Sequence, residues 1–160
     1  MARWPTGEKT VSFLLNRGRL ESLGETDLGN AATTAIGRLR TATAALEGDD
    51  VDGAYAAAYD AYRMAAEALL VRQGLRATGG DGSHVTVEDA VGAQFAGQVS
   101  ALAKPTFERM RRTRHTAQYF DPSAPPIERG DAEWALEMSR QAVEGATELI
   151  DRTPPDRFIE

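Results

Sequence analysis

The chain has 160 residues, of which 42% are hydrophobic and 26% are charged, so it is long enough to bury a core and wholesale disorder is excluded. It contains no cysteine, which excludes disulfide scaffolds, cysteine nucleophiles and thiolate metal sites. A formal net charge of −6 means that binding to nucleic acid would need a local basic patch. The chain has no apolar run of the roughly 18 residues that span a membrane, and its first residues are too polar for a secretory signal. We therefore expect a soluble cytoplasmic protein without membrane contact.

Helical periodicity dominates the first half of the chain. Apolar residues recur three and four positions apart, and this spacing predicts helices over residues 8–23 and 28–46. A third helix, over residues 51–74, carries the most regular apolar stripe, with charged side chains on its opposite face. Its tyrosines are expected to pack in the core: Tyr55, Tyr59 and Tyr62.

The same pattern continues after a glycine-rich segment at residues 77–84. This segment lacks both the GxGxxG spacing and the Gly-Lys-Ser/Thr ending of phosphate-binding loops, so it is predicted to be a connection. Helices are predicted over residues 87–103 and 106–119. The proline-rich residues 121–126 then end the second of these helices.

The last predicted helix is capped by Asp131 and ends before Pro154, and residues 152–160 are expected to fray. No strand is predicted, and the connections are short. The fold class is therefore all-α, an antiparallel bundle of five to six helices. Because no internal repeat or low-complexity tract divides the chain, residues 1–160 are predicted to form a single domain.

Two histidines and no cysteines leave few options for catalysis. Neither His84 nor His115 has a glutamate three residues before it, so both the spacing of carboxylate-bridged metal bundles and the HExxH zinc motif are absent. The Gly-x-Ser-x-Gly elbow of serine hydrolases does not occur either. We therefore predict neither a metal nor a cofactor.

One segment concentrates positive charge. Between Lys104 and Arg114, five basic residues accompany a single acidic residue, Glu108. Cations near a helix C-terminus complement the helix dipole, so a solvated basic helix end would account for most of them. The other interpretation is an anion-binding site formed by four arginines: Arg109, Arg111, Arg112 and Arg114.

The position of Arg114 favours an anion site. At about 100° per residue, it falls on the same helix face as Met110, which marks the buried side. An inward guanidinium must be paired or must line a cavity, because an unpaired buried charge is very costly. Beside it, Arg111, His115 and Tyr119 form one ridge at intervals of four residues. Guanidinium binds phosphate in bidentate fashion and imidazole titrates near neutral pH, so this ridge predicts a phosphate-handling site.

Three segments occur in an order that a known family shares. A tyrosine- and alanine-rich helix over residues 54–70 is followed by Gly-Leu-Arg at 74–76, a glycine-rich loop ends in His84, and the arginine motif at 109–119 precedes a proline-rich turn. Over roughly residues 28–150 the chain thus resembles the HEPN superfamily of small all-helical domains. The resemblance implies a helical bundle that acts as a dimer. Many members are metal-independent ribonucleases, and others bind nucleotides, RNA or proteins.

The catalytic motif of the family can be carried over to this chain. Its arginine matches Arg114, the polar residue after it matches His115, and its histidine falls on Tyr119. A phenol holds its proton at pH 7 and is a poorer general base than imidazole, so the motif resembles a degenerate one. A second register pairs Arg109 with His115, although these residues lie about 120° apart on a continuous helix. Phosphate or RNA binding is assigned to Arg109, Arg111, Arg112 and His84.

Two functions remain open at this stage. The first is a HEPN-like protein of a toxin–antitoxin or defence type that binds RNA or a nucleotide and has lost the chemistry. The alternative is an active ribonuclease toxin that works as a homodimer. In that case Arg114 would stabilise charge on the phosphate, His115 would act as acid or base, and Tyr119 would orient or donate. The resemblance also implies a nucleotidyltransferase antitoxin as a partner.

Overall fold

Six α-helices and one small sheet make up the part of the chain that the computed structural model describes, residues 6–23, 31–80 and 82–158. The helices are α1 (Glu8–Asn16), α2 (Ala31–Glu47), α3 (Val51–Arg72), α4 (Ser83–Phe95), α5 (Lys104–Gln118) and α6 (Arg129–Arg152), with a 3-10 helix at Ser100–Leu102. The strands are β1 (Leu20–Ser22) and β2 (Leu75–Ala77), which pair antiparallel. The prediction of an all-α bundle is confirmed.

Helix α3 is the centre of the bundle, in contact with α2, α4, α5 and α6. Twelve of its residues are buried, and seven of these are alanines, whose small side chains let neighbouring helices approach closely. The three core tyrosines are at most 1% exposed, as predicted. Tyr62 donates a hydrogen bond of 2.6 Å to the Ala101 carbonyl, and its ring meets that of Phe107 edge to face at 4.8 Å. These contacts hold α3 against α5 and the segment before it.

The sheet shows that the prediction of a strand-free chain was wrong, and α1 is shorter than predicted. Helix α1 ends at Asn16 rather than at residue 23, in a Schellman motif in which the Arg19 N–H donates to the Leu14 carbonyl. Gly18 in this motif has a φ of 68°, which glycine adopts without strain. The chain then enters β1. Strands of three residues are too short for the alternation that reveals a strand in a sequence.

Helix α4 begins inside the glycine-rich segment that was predicted to be a connection. Its first residue is Ser83, whereas the predicted start was residue 87, and it ends at Phe95 rather than at residue 103. Gly82, with a φ of 86°, precedes it in a left-handed conformation. His84 therefore lies in the first turn of a helix, which orients its side chain more firmly than a loop would.

The predictions for α2 and α5 are close to the observed helices. The predicted start of α2, residue 28, lies outside the described residues, and the helix ends at Glu47. Helix α5 begins at Lys104, two residues before the predicted start, and Pro105 occupies its first turn. Proline is accommodated there because the first backbone N–H groups of a helix have no partner within the helix.

The start of α6 uses two acidic residues rather than one. Glu128 is the N-cap, and Asp131 completes a capping box in which its carboxylate accepts a hydrogen bond of 3.0 Å from the Glu128 N–H. After α6, residues 153–158 lie within the segment that we expected to fray. Their last member, Phe158, donates its backbone N–H to the Gln73 carbonyl at 2.8 Å and so returns the chain to the end of α3.

Candidate phosphate-binding cleft

A cleft of about 430 Å³ lies between the first turn of α4 and the C-terminal half of α5. We call it the arginine cleft, and it is lined by Gly82, His84, Val85, Arg111, Arg112, Arg114 and His115. Five of the seven predicted site residues line it together, although His84 is distant in sequence from the others. The two that do not are Arg109 and Tyr119.

Arg114 points toward the bundle, as its helical position indicated. Its side chain is only 23% exposed, and its guanidinium carbon lies 5.4 Å from the centre of the Tyr59 ring. One terminal nitrogen lies 3.4 Å from a carboxylate oxygen of Asp60. This distance is long compared with the 2.7–2.9 Å of a strong charge-assisted hydrogen bond. The ion pair therefore leaves the terminal nitrogens of Arg114 able to bind a better acceptor.

Arg111 is held in place by a buried carboxylate. Its Nε donates to Glu88 at 3.1 Å, and the Glu88 side chain is only 1% exposed. Burial raises the pKa of Glu88, whereas the hydrogen bond from Arg111 and its positive charge lower it. Because this bond uses Nε, it orients the guanidinium and leaves its terminal nitrogens for other partners. Glu88 thus positions Arg111 at the cleft wall.

Arg112 and Lys104 make exposed ion pairs. Arg112 pairs with Glu108 one turn earlier on α5, and its side chain is 72% exposed. Lys104 pairs with Asp89 at 2.6 Å, and it does not line the cleft. Exposed pairs contribute little stability, so Arg112 can leave Glu108 at small cost to meet a ligand. Among the described residues, the cleft lining contains three arginines and two histidines but no carboxylate, and the acidic partners of the arginines lie outside the lining.

Arg109 lies away from the cleft. Its guanidinium carbon is 3.8 Å from the centre of the Trp134 ring on α6, a cation–π contact. The structure therefore places Arg109 and His115 on different sides of α5, whereas Arg114 and His115 share the cleft. Of the two motif registers, the one that begins at Arg114 brings its first two members together.

His84, which lines the cleft from the first turn of α4, forms a hydrogen bond with the buried Tyr59. The Tyr59 hydroxyl and His84 Nδ1 are 2.6 Å apart, and their rings stack with centres 5.7 Å apart. Burial raises the pKa of Tyr59. Burial, together with the charges of nearby arginines, lowers the pKa of His84. Both groups are therefore neutral at pH 7, and a single proton lies between them.

The direction of this hydrogen bond determines what His84 can do. Among the described residues the Tyr59 hydroxyl has no other hydrogen bond, so it would leave its own hydrogen unpaired if it accepted one. We therefore assign Tyr59 as the donor and place the proton of His84 on Nε2. In this tautomer the lone pair of His84 is already used, and the ring offers a donor rather than a base.

His115 and Tyr119 are neighbours at the end of α5. Their ring centres are 4.9 Å apart with a tilt of 40°, so the ridge predicted from their spacing is present. His115 lines the cleft. Tyr119 is the C-cap residue of α5, is 60% exposed and lies beyond the cleft lining.

Three residues that contact the cleft arginines were not predicted as site residues from the sequence. Tyr59 was interpreted only as a core residue, and Asp60 and Glu88 were not assigned to the site. Tyr59 and Asp60 meet Arg114 across 54 or more positions of chain. Glu88 meets Arg111 across 23 positions. Glu88 is one of three buried polar residues of α4, with Thr86 and Gln94, and a glutamate among apolar residues at helical spacing is the local signal that could have revealed it.

Comparisons with protein-family models, with curated proteins and with solved structures found no match to this chain. The resemblance to HEPN domains therefore depends on the sequence motifs alone. In the described ranges, no three histidine, cysteine, aspartate or glutamate side chains are grouped so as to hold a metal ion. Nor do these ranges contain a helix long and apolar enough to cross a membrane.

Proposed function

We propose that the protein binds phosphate groups of RNA or of a nucleotide in the arginine cleft, as a HEPN-like binding protein with a degenerate catalytic motif. The observation that carries this proposal is the composition of the cleft lining, in which three arginines converge and, among the described residues, no carboxylate is present. Guanidinium groups match phosphate in charge and in bidentate geometry. His84 Nε2–H adds a neutral donor on the opposite wall.

Binding is favoured over cleavage by the state of the two histidine positions. In the tautomer assigned above, the lone pair of His84 accepts the Tyr59 hydroxyl hydrogen, so His84 does not accept a proton from a ribose hydroxyl. At the position of the family's histidine stands Tyr119, which lies outside the cleft lining. Of the described residues that line the cleft, one candidate general acid or base is left, His115, whereas cleavage by attack of the 2′-hydroxyl uses a base and an acid.

The alternative function, a metal-independent ribonuclease toxin, is favoured by one observation. His115 and Arg114 share the cleft, so an imidazole lies beside the arginine that would stabilise charge on the phosphate. In a homodimer a second copy of this pair would supply the missing acid or base. A nucleotidyltransferase antitoxin would be the protein partner of such a toxin. It would also be the partner of a binding protein that belongs to a toxin–antitoxin system.

Binding of labelled RNA by fluorescence anisotropy, without added metal, tests the proposed function. Arg114→Gln is expected to weaken binding and to reduce the slope of log affinity against log salt by about 0.7, the value for one phosphate contact to a single strand. Arg152→Gln is the matched control, because Arg152 is an exposed, ion-paired arginine at the far end of α6. Equal binding by both variants would refute the proposal.

Incubation of the same RNA followed by gel electrophoresis tests the alternative function. The binding function predicts intact RNA with the wild-type protein. Cleavage that persists in chelator and disappears in His115→Ala would instead establish the ribonuclease.

A further inference from the structure

Two large side chains are left in solvent where α5 ends. Tyr119 is 60% exposed and Phe120, the next residue, is 93% exposed. Exposed aromatic rings beside a basic groove are the usual components of sites for single-stranded nucleic acid, in which arginines hold the backbone and rings stack on bases. Whether either ring can serve in this way depends on which side of α5 it faces.

The two rings face different surroundings. Tyr119 has an extended backbone, with φ −119° and ψ 115°, and side chains of consecutive extended residues point in opposite directions. Tyr119 turns toward His115, a residue of the cleft lining, and so lies beside the arginine cleft. Phe120 instead lines a second cleft of about 700 Å³, whose charged members are acidic: Asp49, Asp50, Asp52 and Asp121. A phosphate chain is attracted to the first side and repelled from the second.

We propose that Tyr119 and His115 form a stacking platform for an unpaired base of single-stranded RNA whose phosphate is bound in the arginine cleft. This inference rests on the proposed function and narrows its ligand. The ring of His115 both lines the cleft and contacts Tyr119, so a base on the platform is next to the phosphate site. Bases paired inside a duplex cannot reach this platform. Tyr119 therefore has a role in recognising a base of the RNA rather than in cleavage. Its ring stands at the position where the resembled family has a histidine.

Fluorescence anisotropy with three fluorescein-labelled probes tests this inference: a single-stranded oligoribonucleotide of about twelve nucleotides, its duplex with the complementary strand, and an abasic oligomer of the same length. We expect tightest binding to the single strand. Tyr119→Ala should weaken this binding by about 5- to 150-fold, the range for loss of one stacked base, and should leave the salt slope unchanged. Tyr119→Phe keeps the ring and should bind as the wild type does.

Phe120→Ala is the matched control, since Phe120 is an even more exposed ring on the acidic side. It should not change the affinity. A larger loss with Phe120→Ala than with Tyr119→Ala would overturn the assignment of the platform. So would equal binding of the single strand, the duplex and the abasic oligomer.

Failure of the stacking platform can be distinguished from failure of the proposed function. If Arg114→Gln weakens binding while Tyr119→Ala does not, phosphate binding stands and the platform is refuted. If Arg114→Gln has no effect on any probe, the arginine cleft is not the binding site and both proposals fail. Tyr119 is 60% exposed, and Arg114 is a charged residue at the cleft that is 23% exposed. Neither substitution removes a buried apolar side chain, so the variants should fold.

Discussion

Two buried tyrosines on α3 allow a matched comparison of how a hydrogen-bonded and an unpaired hydroxyl group contribute to stability. Tyr62 is 0% exposed and donates a hydrogen bond of 2.6 Å to the Ala101 carbonyl. Tyr55 is 1% exposed, and its hydroxyl has no hydrogen-bond partner among the described residues. Burial raises the pKa of Tyr55, and the nearby Thr113 side chain forms no hydrogen bond with its hydroxyl. Replacing each tyrosine with phenylalanine removes one oxygen and keeps the ring.

The two variants should differ in stability because only one of them loses a hydrogen bond. Tyr62→Phe removes that bond and deprives a carbonyl of its donor, which together should lower the free energy of unfolding by about 1–3 kcal/mol. Tyr55→Phe removes a buried hydroxyl that has already lost its water without gaining a partner. The free energy of unfolding should then change by less than about 0.5 kcal/mol or increase slightly.

Urea denaturation followed by circular dichroism measures both variants. For Tyr62→Phe we expect a lower midpoint with an unchanged m-value, and a melting temperature lower by about 2–4 °C for each kcal/mol. For Tyr55→Phe we expect the wild-type curve. If Tyr55→Phe were as destabilising as Tyr62→Phe, the hydroxyl of Tyr55 would have a partner, and our account of the core would be refuted.

Two further predictions concern His84 and the glycines within helices. Burial and nearby arginines hold the pKa of His84 below its ordinary value of 6.5, so the unfolded chain takes up this proton first and the free energy of unfolding should fall as the pH drops below about 6.5. In urea titrations at several pH values, His84→Gln should show a shallower fall. The same pH profile for His84→Gln and the wild type would contradict this. Gly145→Ala would place its Cβ 2.7 Å from two methyl carbons of Val99 and should lower the free energy of unfolding by about 1–3 kcal/mol. Gly37→Ala in α2 should raise it by about 0.5–1 kcal/mol, because no described atom outside the adjoining helix backbone lies within 4 Å of the new Cβ. Thermal melts that reverse the order of the two glycine variants would show that the packing is described incorrectly.

Much of the helical framework could be predicted from local sequence. The apolar stripe of α3 repeats along more than four turns, so its bounds and its buried tyrosines were predicted closely. The spacing on α5 likewise placed Arg114 on the inner face and set His115 and Tyr119 side by side. Each of these features depends on residues within one helix, where the regular helical repeat relates the position of a residue in the sequence to the direction in which its side chain points.

Local sequence patterns therefore define the set of helices and the direction in which each side chain leaves its own helix. Which side chains meet depends on the packing of the helices. The pairing of β1 with β2, the bond between Tyr59 and His84, and the buried contact of Glu88 with Arg111 all join segments that are far apart in the chain. Such contacts depend on how helices pack against one another, and helical periodicity carries no information about the partner that a face will find. The arginine cleft exists because the start of α4 is packed beside α5, and that packing turns a basic ridge into a candidate site.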